Sequence, residues 1–242
     1  ASGRPGVDTA YSEDQMKVGR KLANKLLNVT KFVLTFPAAD AAIPLAEAVT
    51  DPIDLSMLAK LDEVIAAATA GFDAFDYARA LDRTESFFWW FCDNYVELVK
   101  GRAYNSHGLE AANSALRALR EALGSVQRLL APMIPFTTEE AWSWWNTASV
   151  HGAAWPRPGQ LTGDASLIDP VIDTLAHVRR AKTEAKRSQK APVERLVITA
   201  PAALHAAIGA GDRDLRDAGS IATLTIVEGT EFGCTITLAP PD

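Results

Sequence analysis

The sequence predicts a mainly α fold: a helix bundle followed by a small α/β domain. Three observations carry that expectation. From about residue 13 to about 146, apolar residues recur at spacings of three and four, as helices with one buried stripe require. Over 147–165 the composition turns to prolines and glycines, in "SVHGAAWPRPGQLTGD", which reads as an extended linker. Beyond 166, one helix precedes stretches that alternate apolar and polar residues, the period of half-buried strands. The expected division is a bundle over 1–146 (with 1–12 as a lead-in tail), a linker over 147–165 and an α/β domain over 166–242.

The elements follow in order. In 13–34, Val18, Leu22, Leu26, Val29 and Val33 form one apolar stripe. Beside it runs a second stripe of Lys17, Lys21, Lys25, Asn28 and Phe32. A loop around "TFPAAD" comes next. The stretch 55–101 reads as two helices, with Asp51 or Asp54 capping the first, a junction near Gly71, and Gly101 ending the second. "GLEAANSALRALREALGSVQRLLAP" is a further amphipathic helix stopped by Pro132. Thr137 and Glu140 fit a capping box opening a short Trp-rich helix. After the linker, 166–189 reads as a helix with a cationic end. "RLVITA", "ATLTIVE" and "GCTITLA" read as strands, with helix between the first two.

The totals narrow the function. The chain has 242 residues, 48% hydrophobic and 22% charged, room for one large or two small soluble domains. No run of about eighteen apolar residues offers a membrane span, and the first residues lack a signal-peptide core. The absence of an initial Met hints at a fragment or a processed chain. Cys92 and Cys234 stand far apart and suggest neither a disulfide framework nor a zinc site, so a reducing, cytoplasmic home is expected. His107, His151, His177 and His205 form no metal-like cluster. No phosphate-binding glycine loop, nucleophile elbow or carboxylate pair is present. With a net charge of −6, any contact with nucleic acid must come from local patches.

Three patches qualify. Between 15 and 31 lie Lys17, Arg20, Lys21, Lys25 and Lys31 with no acid. This face ends in Phe32, at a position that the stripe marks as exposed. Cations beside an exposed ring suit unpaired RNA, because they meet phosphates while the ring stacks a base; the ordinary alternative is a solvated helix face. The run "FFWWFC" at 87–92 surrounds its helix with large apolar groups, since successive residues turn by about 100°. It reads mainly as core. The polar residues Asp93, Asn94, Glu97 and Lys100 that follow suit contact with a partner. In "HVRRAKTEAKRSQK", Arg179, Arg180, Lys182, Lys186, Arg187 and Lys190 stand against Glu184 alone. They suit either a phosphate backbone or the negative end of a helix dipole.

Several of these stretches together resemble one family. "GRKLANKLLNVTKFVL", "RTESFFWWFCDNYVELVKGRAY", "LAPMIPFTTEEAWSWW" and "SVHGAAWP" are similar, in order and spacing, to the C-terminal region of bacterial valyl-tRNA synthetases. "GRPGVDTAYSEDQMKVGRK" resembles the passage after the KMSKS loop of that family. The "PxxPFxxEExW" pattern is shared with leucyl and isoleucyl enzymes, whereas "FFWWFCDNYVELVKGRAY" favours valine. The resemblance implies the anticodon-binding helix bundle of a class I synthetase, packed against a catalytic domain and holding the splayed anticodon loop of a valine tRNA. The ring of the "KF" pair, Phe32, would stack the third anticodon base, and Lys25 and Lys31 match positions that contact anticodon nucleotides. Lys21, Asn28, Asn94, Arg102, Arg179, Arg180 and Lys186 complete the candidate tRNA-binding set. The HIGH and KMSKS signatures and the editing domain are absent, so the fragment is expected to be inactive alone. It would hold no cofactor, while ATP and magnesium would serve the full-length enzyme. A monomer is expected. The chain stops at "TITLAPPD" without the heptads of the family's terminal coiled coil. The alternatives are the matching region of an isoleucyl or leucyl enzyme, or a helical protein-interaction module without RNA.

Overall fold

The structure, a computed structural model, describes residues 12–37, 42–159 and 161–240. The tail expected over 1–12 and the middle of the "TFPAAD" loop thus fall largely outside the described residues. Four long helices make the bundle: α1 (Glu13–Leu34), α3 (Pro52–Asp73), α4 (Tyr77–Trp90) and α7 (Leu109–Leu130), with the one-turn α2 (Leu45–Ala48) before α3. Asp51, rather than Asp54, caps α3: its side chain accepts from the Ile53 N–H, and Pro52 opens the first turn. On α1 the expected stripe is buried from Leu22 to Val33, but Val18 is exposed, because the first turns reach past the helices they would pack on.

Beyond α4 the aromatic run forms a π turn, Phe91–Tyr95, followed by the short α5 (Val96–Leu98) and α6 (Lys100–Ala103). The wider turn re-phases the helix. Phe88, Phe91 and Tyr95 are all fully buried. Phe91 stacks between Phe87 and Tyr95, with ring centroids 6.1 and 5.8 Å away. Gly101 does not end a helix; it lies within α6. A side chain there would overlap the Asp217 carboxylate packed against it, so close approach explains this glycine.

Helix α8 (Pro135–Ser143) starts two residues before the expected capping box. Pro135 presets the first-turn φ, and Thr138 instead donates its hydroxyl back to the Ile134 and Pro135 carbonyls. The expected linker lies along the bundle as a strap. Trp155 Nε1 donates to Thr69 Oγ1 at 2.9 Å, the Gly159 N–H donates to Asp62 at 2.7 Å, and Val150 is buried.

The remainder is α9 (Asp169–Glu184), β1 (Val193–Ala200), α10 (Ala202–Ala210), α11 (Asp212–Gly219), β2 (Ile221–Glu228) and β3 (Gly233–Leu238). The described sheet has the order β2-β1-β3, with β2 parallel and β3 antiparallel to β1. Leu196 pairs with Leu224 and Ile236, and Ile198 with Ile226 and Cys234, so apolar residues align across all three strands on the face that α9 covers. The cationic helix is shorter than its sequence pattern, ending at Glu184. The chain turns back through Lys186 at φ 54°, and the Arg187 N–H bonds the Lys182 carbonyl at 2.8 Å, a Schellman-type stop.

The two parts share one hydrophobic cluster and one buried ionic joint. Arg102 of α6 is 0% exposed. It donates through Nη1 and Nη2 to Asp54 of α3, both at 2.7 Å, and through Nε to Asp214 of α11 at 2.9 and 3.0 Å. Asp54 also accepts from Tyr95 Oη and Ser114 Oγ, and Arg213 bonds Asp51 at 2.6 Å. Burial raises the Asp214 carboxyl, and the charge and hydrogen bonds of Arg102 pull it only part of the way back. A carboxyl raised by folding holds its proton more tightly in the folded chain than in the unfolded one. Its contribution is therefore present at low pH and is lost as pH rises through its folded value. Asp214→Asn is expected to flatten the fall in stability just above the ordinary carboxylate range, measured by urea unfolding between about pH 4 and 7. An unchanged profile would remove Asp214 as the source of that slope.

Candidate nucleic-acid interface

The i, i+3, i+4 and i+7 geometry of α1 places Lys25, Asn28, Val29 and Phe32 on one face. Opposite stand Cys92, Val96, Glu97 and Lys100, from the π turn, α5 and α6. Together these groups line a cavity of about 200 Å³. Three sequence-predicted residues, Lys25, Asn28 and Phe32, therefore meet there.

The site is less open and less cationic than the sequence implies. Phe32 is half-buried, a correction to its expected exposure. Phe36 and Tyr104 meet it edge-on at 5.2 and 6.4 Å, and Lys100 Nζ lies 5.4 Å from its ring centroid. The stripe is free of acid only in sequence. Lys25 Nζ bonds Asp93 Oδ1 at 2.7 Å, Lys17 bonds Asp14 at 2.9 Å, and Lys100 bonds Glu97 at 2.6 Å. Burial pulls the Lys25 ammonium down, but the hydrogen bond and charge of Asp93 outweigh it and leave it above its ordinary value. Burial pushes the Cys92 thiol up to about 12, so the cavity wall carries a neutral thiol without nucleophilic character.

The other predicted residues separate into three groups. Lys21 is exposed on α1, and Arg180 and Lys186 are exposed at the cationic end of α9; these can meet phosphates. Lys31 is exposed but lies over Trp144, the residue that follows α8, 5.6 Å from its ring, away from the cavity. Arg179 and Asn94 bind each other at 3.3 Å, and Arg179 also donates to the Asp93 carbonyl at 2.9 Å. That pair fastens α9 to the turn that holds the partner of Lys25. Arg102 is a correction: all its donors are engaged in the buried joint, and it cannot reach RNA. Lys182 is likewise buried, its ammonium donating to the Gln189 and Gly219 carbonyls, so it leaves the cationic patch. Lys100 was expected to suit contact with a partner but was not in the tRNA-binding set, and Tyr104 was not singled out at all. Their signal was the "KGRAY" segment itself, whose i, i+4 spacing sets both on one side of the helix facing Phe32.

A family model described as "Anticodon-binding domain of tRNA ligase" matches residues 54–198. The chain is 48% identical to the valine–tRNA ligase of Salinispora arenicola (strain CNS-205) over 94% of its own length and 29% of the relative's. It is 46% identical to that of Thermobifida fusca (strain YX), over 100% of this chain and 28% of the relative. It is 48% identical to that of Leifsonia xyli subsp. xyli (strain CTCB07), over 96% and 27%. The chain thus spans under a third of the length of these relatives, and with the family pattern covering more than half of it, this protein belongs to the anticodon-binding domain family of tRNA ligases.

Proposed function

We propose that the chain recognises the anticodon loop of a valine tRNA for a cytoplasmic ligase that joins valine to that tRNA. The observation that carries this is the cavity in which Lys25, Asn28 and Phe32 of one helix face Lys100 and Glu97 of another. A ring supplies a stacking surface, ammonium groups meet the backbone, and Asn28 and Glu97 offer hydrogen bonds to base edges. In the unbound chain Lys100 occupies one side of the Phe32 ring. A base stacking on that side displaces the ammonium, which is half-exposed and is ion-paired, among the described residues, with Glu97. Lys21, Arg180 and Lys186 guide the flanking phosphates. Among the described residues no three His, Cys, Asp or Glu side chains cluster as a metal site needs. In this reading ATP and magnesium belong to the catalytic domain, against which this chain packs in a monomeric enzyme. No described helix is long and apolar enough to cross a membrane.

The test is binding of the chain to a valine tRNA transcript at low and moderate salt, beside the same transcript with its anticodon bases replaced. Affinity is expected to fall roughly tenfold or more across a fourfold rise in salt, and to fall on anticodon replacement. Phe32→Ala is expected to cost about 1–3 kcal/mol of binding. Affinity indifferent to both the anticodon and Phe32 would sink the reading.

A further inference from the structure

We infer that a second nucleotide subsite lies beside the Phe32 cavity, formed by Tyr104, Lys100, Gln189 and Lys190. The inference rests on the tRNA-binding reading and extends it to the junction with the α/β part. A second cavity, of about 480 Å³, opens between α5–α6 and the turns before β1 and β2. Glu97, Lys100, Tyr104, Gln189, Lys190 and Asp217 are among its walls. It shares Glu97 and Lys100 with the first cavity, so the two are consecutive compartments of one groove.

Tyr104 is the more available ring of this face. It is 64% exposed, whereas Phe32 is half-buried beneath Lys100. Phe36 and Phe32 brace it from behind at 5.0 and 6.4 Å, with interplanar angles of 70° and 69°. The ring is thus oriented by packing while most of its surface stays in water, the condition of a stacking platform. Cations stand at both ends. Lys100 lies at the shared wall, and Lys190 is exposed and forms no ion pair among the described residues. Hydrogen-bonding groups complete the walls. The Gln189 amide nitrogen is engaged by the Arg179 carbonyl and Thr183 Oγ1, leaving its oxygen as the available acceptor, and Asp217 binds His107 at 2.6 Å. Acceptors at Gln189 and Asp217 suit a base edge that carries an amino group. The occupant is a single-stranded ribonucleotide next to the one over Phe32, its base on Tyr104 and its phosphate between Lys100 and Lys190.

The experiment measures binding of the 242-residue chain to valine tRNA transcripts carrying one abasic nucleotide at successive positions of the anticodon loop. Tyr104→Ala is expected to weaken binding roughly 5- to 150-fold, as for one lost stack, and Tyr104→Phe, which keeps the ring, to bind as the native chain does. Two neighbouring abasic positions should weaken native binding. Tyr104→Ala should become insensitive to one of them and Phe32→Ala to the other. Lys190→Ala should lower the slope of log affinity against log salt by about one. If Tyr104→Ala binds like the native chain while Phe32→Ala is weakened, the subsite is overturned and the anticodon reading stands. If neither ring matters, or the native chain does not bind, both are overturned.

Discussion

Arg102→Ala is expected to lower folding stability by about 3–5 kcal/mol, the usual result of removing one partner from a buried ion pair. The guanidinium is the common partner of Asp54 and Asp214, which approach it from α3 and α11. Without it, Arg213 is the cation left beside Asp51, Asp54 and Asp214, and Asp54 keeps only the neutral donors Tyr95 Oη and Ser114 Oγ. Arg213, already bonded to Asp51 and with Nε 3.6 Å from Asp214, is one donor group where Arg102 supplied three to two carboxylates. Lysine restores the charge but not the planar fork, so Arg102→Lys should recover only part of the loss. Urea unfolding is the check: a lower midpoint with unchanged slope is expected. A loss below about 1 kcal/mol would show that the carboxylates find other partners, at odds with the burial argument.

Phe91→Ala is expected to be about as damaging, again some 3–5 kcal/mol, through the cavity it opens. Phe91 is fully buried and stacks against Phe87 on one side and Tyr95 on the other. Tyr95 in turn donates its hydroxyl to Asp54 at 2.7 Å, so slack around Phe91 also loosens the ionic joint. Phe91→Leu, which fills most of the space, should be considerably milder. A Phe91→Ala protein of near-native stability would mean that the π turn collapses onto the gap, and that the aromatic run is not the framework of this part of the bundle.

These expectations indicate what could be read from residues alone. The helices were legible because each buries a stripe at local spacing, and Lys25, Asn28 and Phe32 were legible as one face for the same reason. Of the groups near them, Glu97 and Lys100 were legible only as polar residues suited to a partner, and Tyr104 was not legible. Lys100 and Tyr104 reach that face only after the π turn re-phases the helix and Val99 redirects the chain into α6. Arg102 looked like a surface cation because the segment around it, from Lys100 to Tyr104, holds no acid, whereas its acids lie 48 and 112 residues away. Lys182 failed the same test, its carbonyl partners being placed by tertiary folding. The acid-free stripe was true of α1 and false of its surroundings, since Asp93 comes from a turn 68 residues distant. The capping box lost to Pro135, whose fixed φ started the helix earlier.

The ionic joint also bears on where this molecule can be divided. The family pattern runs from Asp54 to Ile198. It therefore contains Asp54 and Arg102 but stops before Asp214, and it begins after α1 and Asp51. A piece cut to those limits would hold the guanidinium in a half-built pocket with one carboxylate, and would lack Lys25 and Phe32 altogether. The cooperative unit of this protein is thus larger than the region by which its family is recognised: α1 and α11, both outside that region, complete the Phe32 cavity and the ionic joint.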